Sequence, residues 1–370
     1  MKHQISAPTK VPSFANSLEY LVSIAKKGHR RESKFFNPDN QWLVNKMRVF
    51  QDSSDREQLE VLEQARKIDE ESKYLNGQGK AGTKVWPDIA VRLETGGLGF
   101  FSQCGVARRP DLTQYYVDGF QPNRDAISFS ESNQELFAQI IPYITDKMEK
   151  SFVEGQYIIQ TDRQIGDTED RSFHARQLLF GTNYPQLPYM WRQLTFEVRE
   201  GQLDQEPQIL EVSIPNWLTD LGLPDDIKEQ VANAGLTQLI FKAPTLGLSL
   251  HLGFDYMGEH KMGPLSIAMF MVKQSYGLAL QAALSMARVR TIEGKFTNAA
   301  MVTTGPSLHG KSTLTIMIEL AKSQLFKELD LKVDPEEGVY PMNDDIILLQ
   351  KLKAPITFNK TDTTITVPYA

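Results

Sequence analysis

The chain has 370 residues, with 41% apolar and 23% charged side chains, a globular balance with room for two domains rather than that of a disordered segment. A net charge of −6 gives a nucleic-acid partner no electrostatic support, and a single cysteine, Cys104, excludes an internal disulfide framework or a cysteine-rich metal site. The most hydrophobic stretch, 267–272, is cut by Lys273-Gln274-Ser275 and is too short to span a bilayer, and the first residues lack the apolar core of a secretory leader. A cytoplasmic protein with neither a membrane nor a nucleic-acid partner is therefore expected.

Residues 1–13 are polar and proline-bearing and read as a flexible tail. Leu18, Leu21, Val22 and Ile24 cluster along a predicted helix over 14–27, and a second helix, rich in Glu, Leu, Gln and Lys, is expected over 55–75. The glycines of 76–83 lack a strand–helix frame and read as a linker. From Asp88 the pattern turns to short strands, at 91–93, 99–101, 115–117, 157–160 and 194–198, with a helix over 134–152 among them. Another helix is expected within 216–234, with Pro224-Asp225-Asp226 as its start, and a strand at 239–241.

The segment Gly253-Phe254-Asp255-Tyr256-Met257-Gly258-Glu259-His260-Lys261-Met262-Gly263 mixes glycines, acids, a histidine and a lysine, which is unusual for a core element and points to a functional loop. A helix over 264–273, a long strand over 277–290, a turn at Glu293-Gly294 and a short buried strand over 299–304 are expected next.

That strand leads into Gly305-Pro306-Ser307-Leu308-His309-Gly310-Lys311-Ser312, followed by Thr313, which fits the phosphate-loop pattern G-x-x-x-x-G-K-S/T. Glycines let the backbone wrap a triphosphate with its N–H groups inward, Lys311 would reach the β- and γ-phosphates, and the Ser312 hydroxyl would ligate Mg²⁺. An amphipathic helix over 312–326 completes the expected strand–loop–helix frame. The acids of Asn343-Asp344-Asp345 follow some thirty residues later; they read either as a second carboxylate anchor for Mg²⁺ or as a turn before the apolar run 346–349. A hairpin over 356–367 closes the chain.

In this order, the segments GFDYMGEHKMG, GPSLHGKST and NDD resemble motifs of the ATP-dependent phosphoenolpyruvate carboxykinase family: its G-T-E-Y-A-G-E-M-K-K-G loop, its phosphate loop G-L-S-G-T-G-K-T-T and its G-D-D. Upstream, Ala107-Arg108-Arg109-Pro110-Asp111 with Tyr116-Val117 is similar to the family's G-R-S-P-K-D-K-Y-x-V. The resemblance runs from about residue 90 to residue 350. It implies an α/β chain: an α+β substrate domain over 14–275, then a mononucleotide-binding domain over 276–370. It implies that Arg108 grips the carboxylate of a small acid, that Tyr256 lines the same pocket, and that Lys261 stands beside the transferring phosphoryl group. Gly305, Ser307, His309, Gly310, Lys311, Ser312 and Thr313 would hold ATP, and Ser312, Asp344 and Asp345 would hold Mg²⁺.

The sequence departs from the family at the enolate metal, for which the family uses Mn²⁺ held by lysine, histidine and aspartate. Met262 stands at the lysine position and a strand alignment sets Gln281 at the histidine position, leaving Asp345. His251 and His260 lie nearby but off those positions, and a lone histidine is more often structural. In the phosphate loop, Leu308 replaces glycine where a positive φ would be costly, and His309 either adds a phosphate donor or faces solvent. The family's adenine-binding residues follow its G-D-D, so the resemblance also implies a fragment, a second chain that completes the site, or an incomplete site. Three functions stay open on this reading: a diverged kinase-like phosphotransferase on a small acid or hydroxyl acceptor, a non-catalytic nucleotide-binding module, and a true carboxykinase.

Overall fold

The computed structural model describes residues 13–46, 49–50, 87–92, 98–102, 113–118, 126–167, 171–305, 310–316, 327–330, 334, 336–350, 356–360 and 363–367. The predicted tail, the helix over 55–75, the glycine linker and Cys104 lie outside these residues. The chain divides into two compact units, Met1–Ala268 and Met269–Ala370. The fold is mixed α/β, and among the described residues no helix is long and apolar enough to cross a membrane.

The N-terminal unit opens with α1 (Phe14–Lys27) and α2 (Asn40–Lys46). Ser13 caps α1 by accepting from the Asn16 amide, and Lys26 and Lys27 suit the negative end of its dipole. Strands β1 (Val49–Phe50), β2 (Pro87–Arg92) and β3 (Leu98–Ser102) form a small sheet in that order. The following elements are β4 (Thr113–Val117), β5 (Ala126–Ser128), α3 (Gln134–Glu154), β6 (Ile158–Ile165), β7 (Phe173–Phe180), α4 (Gln186–Leu194) and β8 (Ile209–Ile214). Then come α5 (Trp217–Asp220), α6 (Asp225–Asn233), β9 (Gln238–Ala243), β10 (Leu248–Leu252) and α7 (Met257–Gln274), the last of which crosses the unit boundary.

The main sheet has seven strands in the order β5-β4-β9-β10-β8-β7-β6 and mixes parallel with antiparallel pairs. Its alternation explains its two faces. Leu178, Phe180, Leu210, Val212, Ile214, Leu248, Leu250 and Leu252 join the large apolar core with Phe14, Leu18 and Leu21 of α1 and Phe137, Ile140 and Ile144 of α3. Complete burial of each such side chain stabilises the fold by about 1.5–3 kcal/mol. The alternate residues, Gln177, Glu211, Ser213, Ser249 and His251, are also buried but polar.

A buried ion pair ties α1 to this sheet. Asp162 of β6 lies opposite Arg176 of β7, whose Nε and Nη2 each donate to its carboxylate at 2.8 Å. Arg176 Nη1 donates to the carbonyls of Ala25 and Lys26 at the end of α1, at 3.1 and 2.6 Å. The chain leaves α1 at Gly28, φ 67°, where a Cβ would stand 2.5 Å from both Arg176 Nη1 and Gln160 Oε1. Burial pushes the Asp162 carboxyl up, but the Arg176 hydrogen bonds, with His174 Nε2 3.4 Å away, outweigh it and hold the pKa down at about 2. Because the folded pKa is depressed, this pair's contribution is fully present above about pH 4 and is lost as pH falls through about 2. Acid titration should therefore remove about 2 kcal/mol of stability over that window, and Asp162→Asn should flatten that part of the stability–pH curve measured by urea unfolding.

The C-terminal unit contains β11 (Leu278–Arg290), β12 (Phe296–Thr304), α8 (Lys311–Ile316), β13 (Gly338–Asn343), β14 (Ile346–Leu349) and the hairpin β15 (Ile356–Lys360) with β16 (Thr363–Val367). Its sheet runs β12-β11-β13, and β14 pairs with the other end of β11.

Three expectations are corrected and one is met. Residues 194–198 are not a strand: α4 ends at Leu194, Thr195 is its extended cap, and Phe196 makes one isolated bridge to Gln164. The helix expected within 216–234 with Pro224-Asp225-Asp226 as its start is α6, with Pro224 at its N-cap, and the short α5 precedes it. The strand expected to be short and buried at 299–304 is longer and mostly exposed, running from Phe296 to Thr304 beside β11. Finally, most of the expected loop at 253–263 is helix: α7 begins at Met257 and carries Pro264 in its interior.

Candidate functional sites

Each unit carries one group of interest. In the C-terminal unit, β12 runs to Thr304 and α8 starts at Lys311, so strand and helix flank the glycine-rich segment. Gly310 has φ 82°, a left-handed conformation suited to glycine, and Lys311 is buried. Ser312 is exposed, with Oγ 3.5 Å from the Asp344 carbonyl, a weak contact that nonetheless fixes the two as neighbours. Asp344 and Asp345 form the turn between β13 and β14, closed by the amides of Asp345 and Ile346 donating to Asn343 Oδ1 at 2.9 and 3.1 Å. On β11, Gln281 pairs with Ile346, the residue after Asp345. Gly305 ends the approach to the loop and Thr313 lies in α8. Ser307, Leu308 and His309 lie outside the described residues.

In the N-terminal unit, Arg108 also lies outside the described residues. Tyr256 is exposed just before α7, and Lys261 and Met262 are half-buried in its first turns. Gly258 and Gly263 are packing positions rather than turn positions: a Cβ on Gly258 would stand 2.6 Å from the Tyr256 ring, and one on Gly263 would stand 2.6 Å from both His251 Nε2 and Ser249 Oγ. Gly263→Ala is expected to cost about 1–3 kcal/mol through overpacking, read as a lowered midpoint in chemical denaturation.

Beneath this helix lies a polar group that the residue pattern alone did not bring together. Glu211 of β8 sits opposite Gln177 of β7 and Ser249 of β10, and His251 of β10 sits opposite Ser213 of β8. From α7, His260 packs onto the same rows, its ring 4.8 Å from that of His251. Glu211, His251 and His260 are all fully buried. Gln177 Nε2 donates to Glu211 Oε2 at 3.0 Å. His260 Nδ1 donates to the Tyr256 carbonyl at 2.8 Å, so its Nε2 presents a lone pair, to which the Ser213 hydroxyl donates at 2.7 Å. His251 Nε2 and Ser249 Oγ are hydrogen-bonded at 2.7 Å. Glu211 Oε1 and His251 Nδ1 have no hydrogen-bond partner and stand 3.6 Å apart; Oε1 is 4.0 Å from His260 Nε2.

Burial governs the electrostatics of this group. It drives the Glu211 carboxyl well above the usual carboxylate range, His251 well below the usual imidazole range and His260 down to about 4. The sequence carried one signal for it: Glu211 is a lone acid inside the apolar run Ile209-Leu210-Glu211-Val212, and a charge inside a central strand needs a partner.

No family model matches the chain, and no curated protein sequence matches it.

Proposed function

We propose that the C-terminal unit binds a Mg²⁺–nucleoside triphosphate, and that the chain is a diverged phosphotransferase of phosphoenolpyruvate carboxykinase type acting on a small acid or hydroxyl acceptor. The observation that carries this reading is the proximity of Ser312 to Asp344. A phosphate loop needs its serine hydroxyl and a carboxylate on the same Mg²⁺. Here a residue just after Gly310-Lys311 and an acid thirty-two positions later, far apart in the chain, are spatial neighbours. The strand before the loop, the helix after it and the buried Lys311 support the same reading.

The register of β11 bears on which chemistry follows. Gln281 lies beside the Asp345 turn, and the resemblance sets this amide at the position of the family's metal-binding histidine. Met262 offers a thioether where the family has an amine. A thioether does not suit a hard divalent cation and a neutral amide oxygen binds one only weakly, so enolate stabilisation by a second metal lacks part of its ligand set while phosphoryl transfer keeps its own.

The readings separate on turnover. ADP release from Mg·ATP should rise with a small carboxylic-acid or alcohol acceptor and should not require Mn²⁺. Saturable ATP binding with no turnover across an acceptor panel would favour a non-catalytic nucleotide-binding module. Phosphoenolpyruvate formed from oxaloacetate, ATP and Mn²⁺ would favour a true carboxykinase.

A further inference from the structure

We infer that Glu211, His251 and His260 form a closed binding site for one divalent transition-metal ion, with Zn²⁺ as the best match to the donor set. The inference is independent of the nucleotide reading and rests on three features of the N-terminal unit.

The first is convergence. One ligand atom from each of Glu211, His251 and His260 lies within 4.8 Å of the other two. In a tetrahedral site with bonds of about 2.0–2.2 Å, ligand atoms stand about 3.3–3.6 Å apart. The 3.6 Å between Glu211 Oε1 and His251 Nδ1 already meets that spacing, and the 4.0 Å to His260 Nε2 needs a closure of a few tenths of an ångström. Ser213 Oγ, hydrogen-bonded to His260 Nε2 at 2.7 Å, would have to draw back by about 0.6–0.9 Å to take the fourth position.

The second is orientation. A metal-bound imidazole donates its other N–H to an oxygen that fixes its tautomer. His260 does so through Nδ1 to the Tyr256 carbonyl, and His251 has Ser249 Oγ at Nε2. Gln177 holds the outer oxygen of Glu211. Each ligand thus has an outer partner.

The third is what a proton alone cannot do. A protonated Glu211 could donate to His251 Nδ1 if the two atoms were within hydrogen-bond reach, but 3.6 Å is too long. Both atoms are buried without a partner, an arrangement that costs stability unless something joins them. A cation bonded to both spans the gap.

Such an ion would tie β8 and β10 to the first turns of α7, and so hold the backbone that carries Lys261. Its role is structural, because the site is closed to solvent.

The test is metal analysis of the full chain, purified without a histidine tag and refolded from denaturant with Zn²⁺ or Co²⁺ in excess, then desalted. The expected result is about one equivalent of metal per chain, with visible Co²⁺ absorption of the tetrahedral type. Glu211→Gln keeps the side-chain volume and should weaken retention in a chelator competition by at least about a hundredfold, since even outer partners of a ligand are worth about 10–100-fold. If that variant fails to fold, the stoichiometry and Co²⁺ spectrum of the unmodified chain decide the matter. A natively folded chain that retains neither ion after refolding overturns the site, as does a Glu211→Gln protein that holds the metal as tightly as the parent. Neither outcome bears on ATP binding.

Discussion

Arg176→Ala is expected to destabilise the N-terminal unit by about 3–5 kcal/mol, a large share of the 5–15 kcal/mol that holds a typical domain together. The substitution leaves Asp162 about 1% exposed and without the guanidinium that keeps it ionised. It also removes the donor to Ala25 and Lys26, so the end of α1 loses its link to β7. Replacing both charged partners with apolar residues of similar volume should cost less than the single change, because no uncompensated charge stays buried. Denaturant midpoints for the two single variants and the double variant test this. A double variant as unstable as the sum of the singles would mean that the pair itself contributes little and that α1 docking carries the effect.

Lys311→Ala is expected to lower ATP turnover by about 10²–10³-fold, the usual cost of removing one preorganised donor to developing transition-state charge. Lys311 is buried in the first turn of α8, directly after the left-handed Gly310, so truncation leaves a small cavity as well as a missing charge. Stability should be measured in parallel. A turnover loss that exceeds any shift in the C-terminal unfolding transition assigns the effect to the nucleotide. Ser312→Ala should instead raise the Mg²⁺ concentration needed for half-maximal rate.

Much of the architecture is legible in the residues because it is local. The spacing of Leu18, Leu21, Val22 and Ile24 reports α1, and the strand before the phosphate-loop pattern, with the helix after it, follows from short-range chemistry. The errors share a physical cause. The mixture of glycines, acids, a histidine and a lysine at 253–263 points to a loop, yet Gly258 and Gly263 sit inside a helix where a Cβ would strike Tyr256, His251 or Ser249. Whether a glycine marks a turn or a close approach depends on what packs against it, and that is a tertiary fact. The apolar run Ala299-Ala300-Met301-Val302 implied burial, but Met301 and Val302 are each 47% exposed, because a strand's own residues do not say which layer covers its faces. Apart from the lone acid Glu211 in its apolar run, the Glu211–His251–His260 group is illegible in the sequence for a related reason. Its members are brought together by the parallel pairing of β8 with β10 and by the packing of α7, neither of which any single segment encodes. The two histidines are individually visible in the sequence, and only the sheet order supplies the carboxylate between them.

The central claim is that the unit containing Lys311 and Asp344 binds a Mg²⁺–nucleotide, and calorimetric titration of the full chain with Mg·ATP tests it most directly. The account predicts saturable binding at one site per chain, weakened at least about tenfold when Mg²⁺ is withheld or when Lys311 is replaced by alanine. A chain that unfolds cooperatively and shows a native circular-dichroism spectrum, yet binds no Mg·ATP at millimolar concentration, would contradict it.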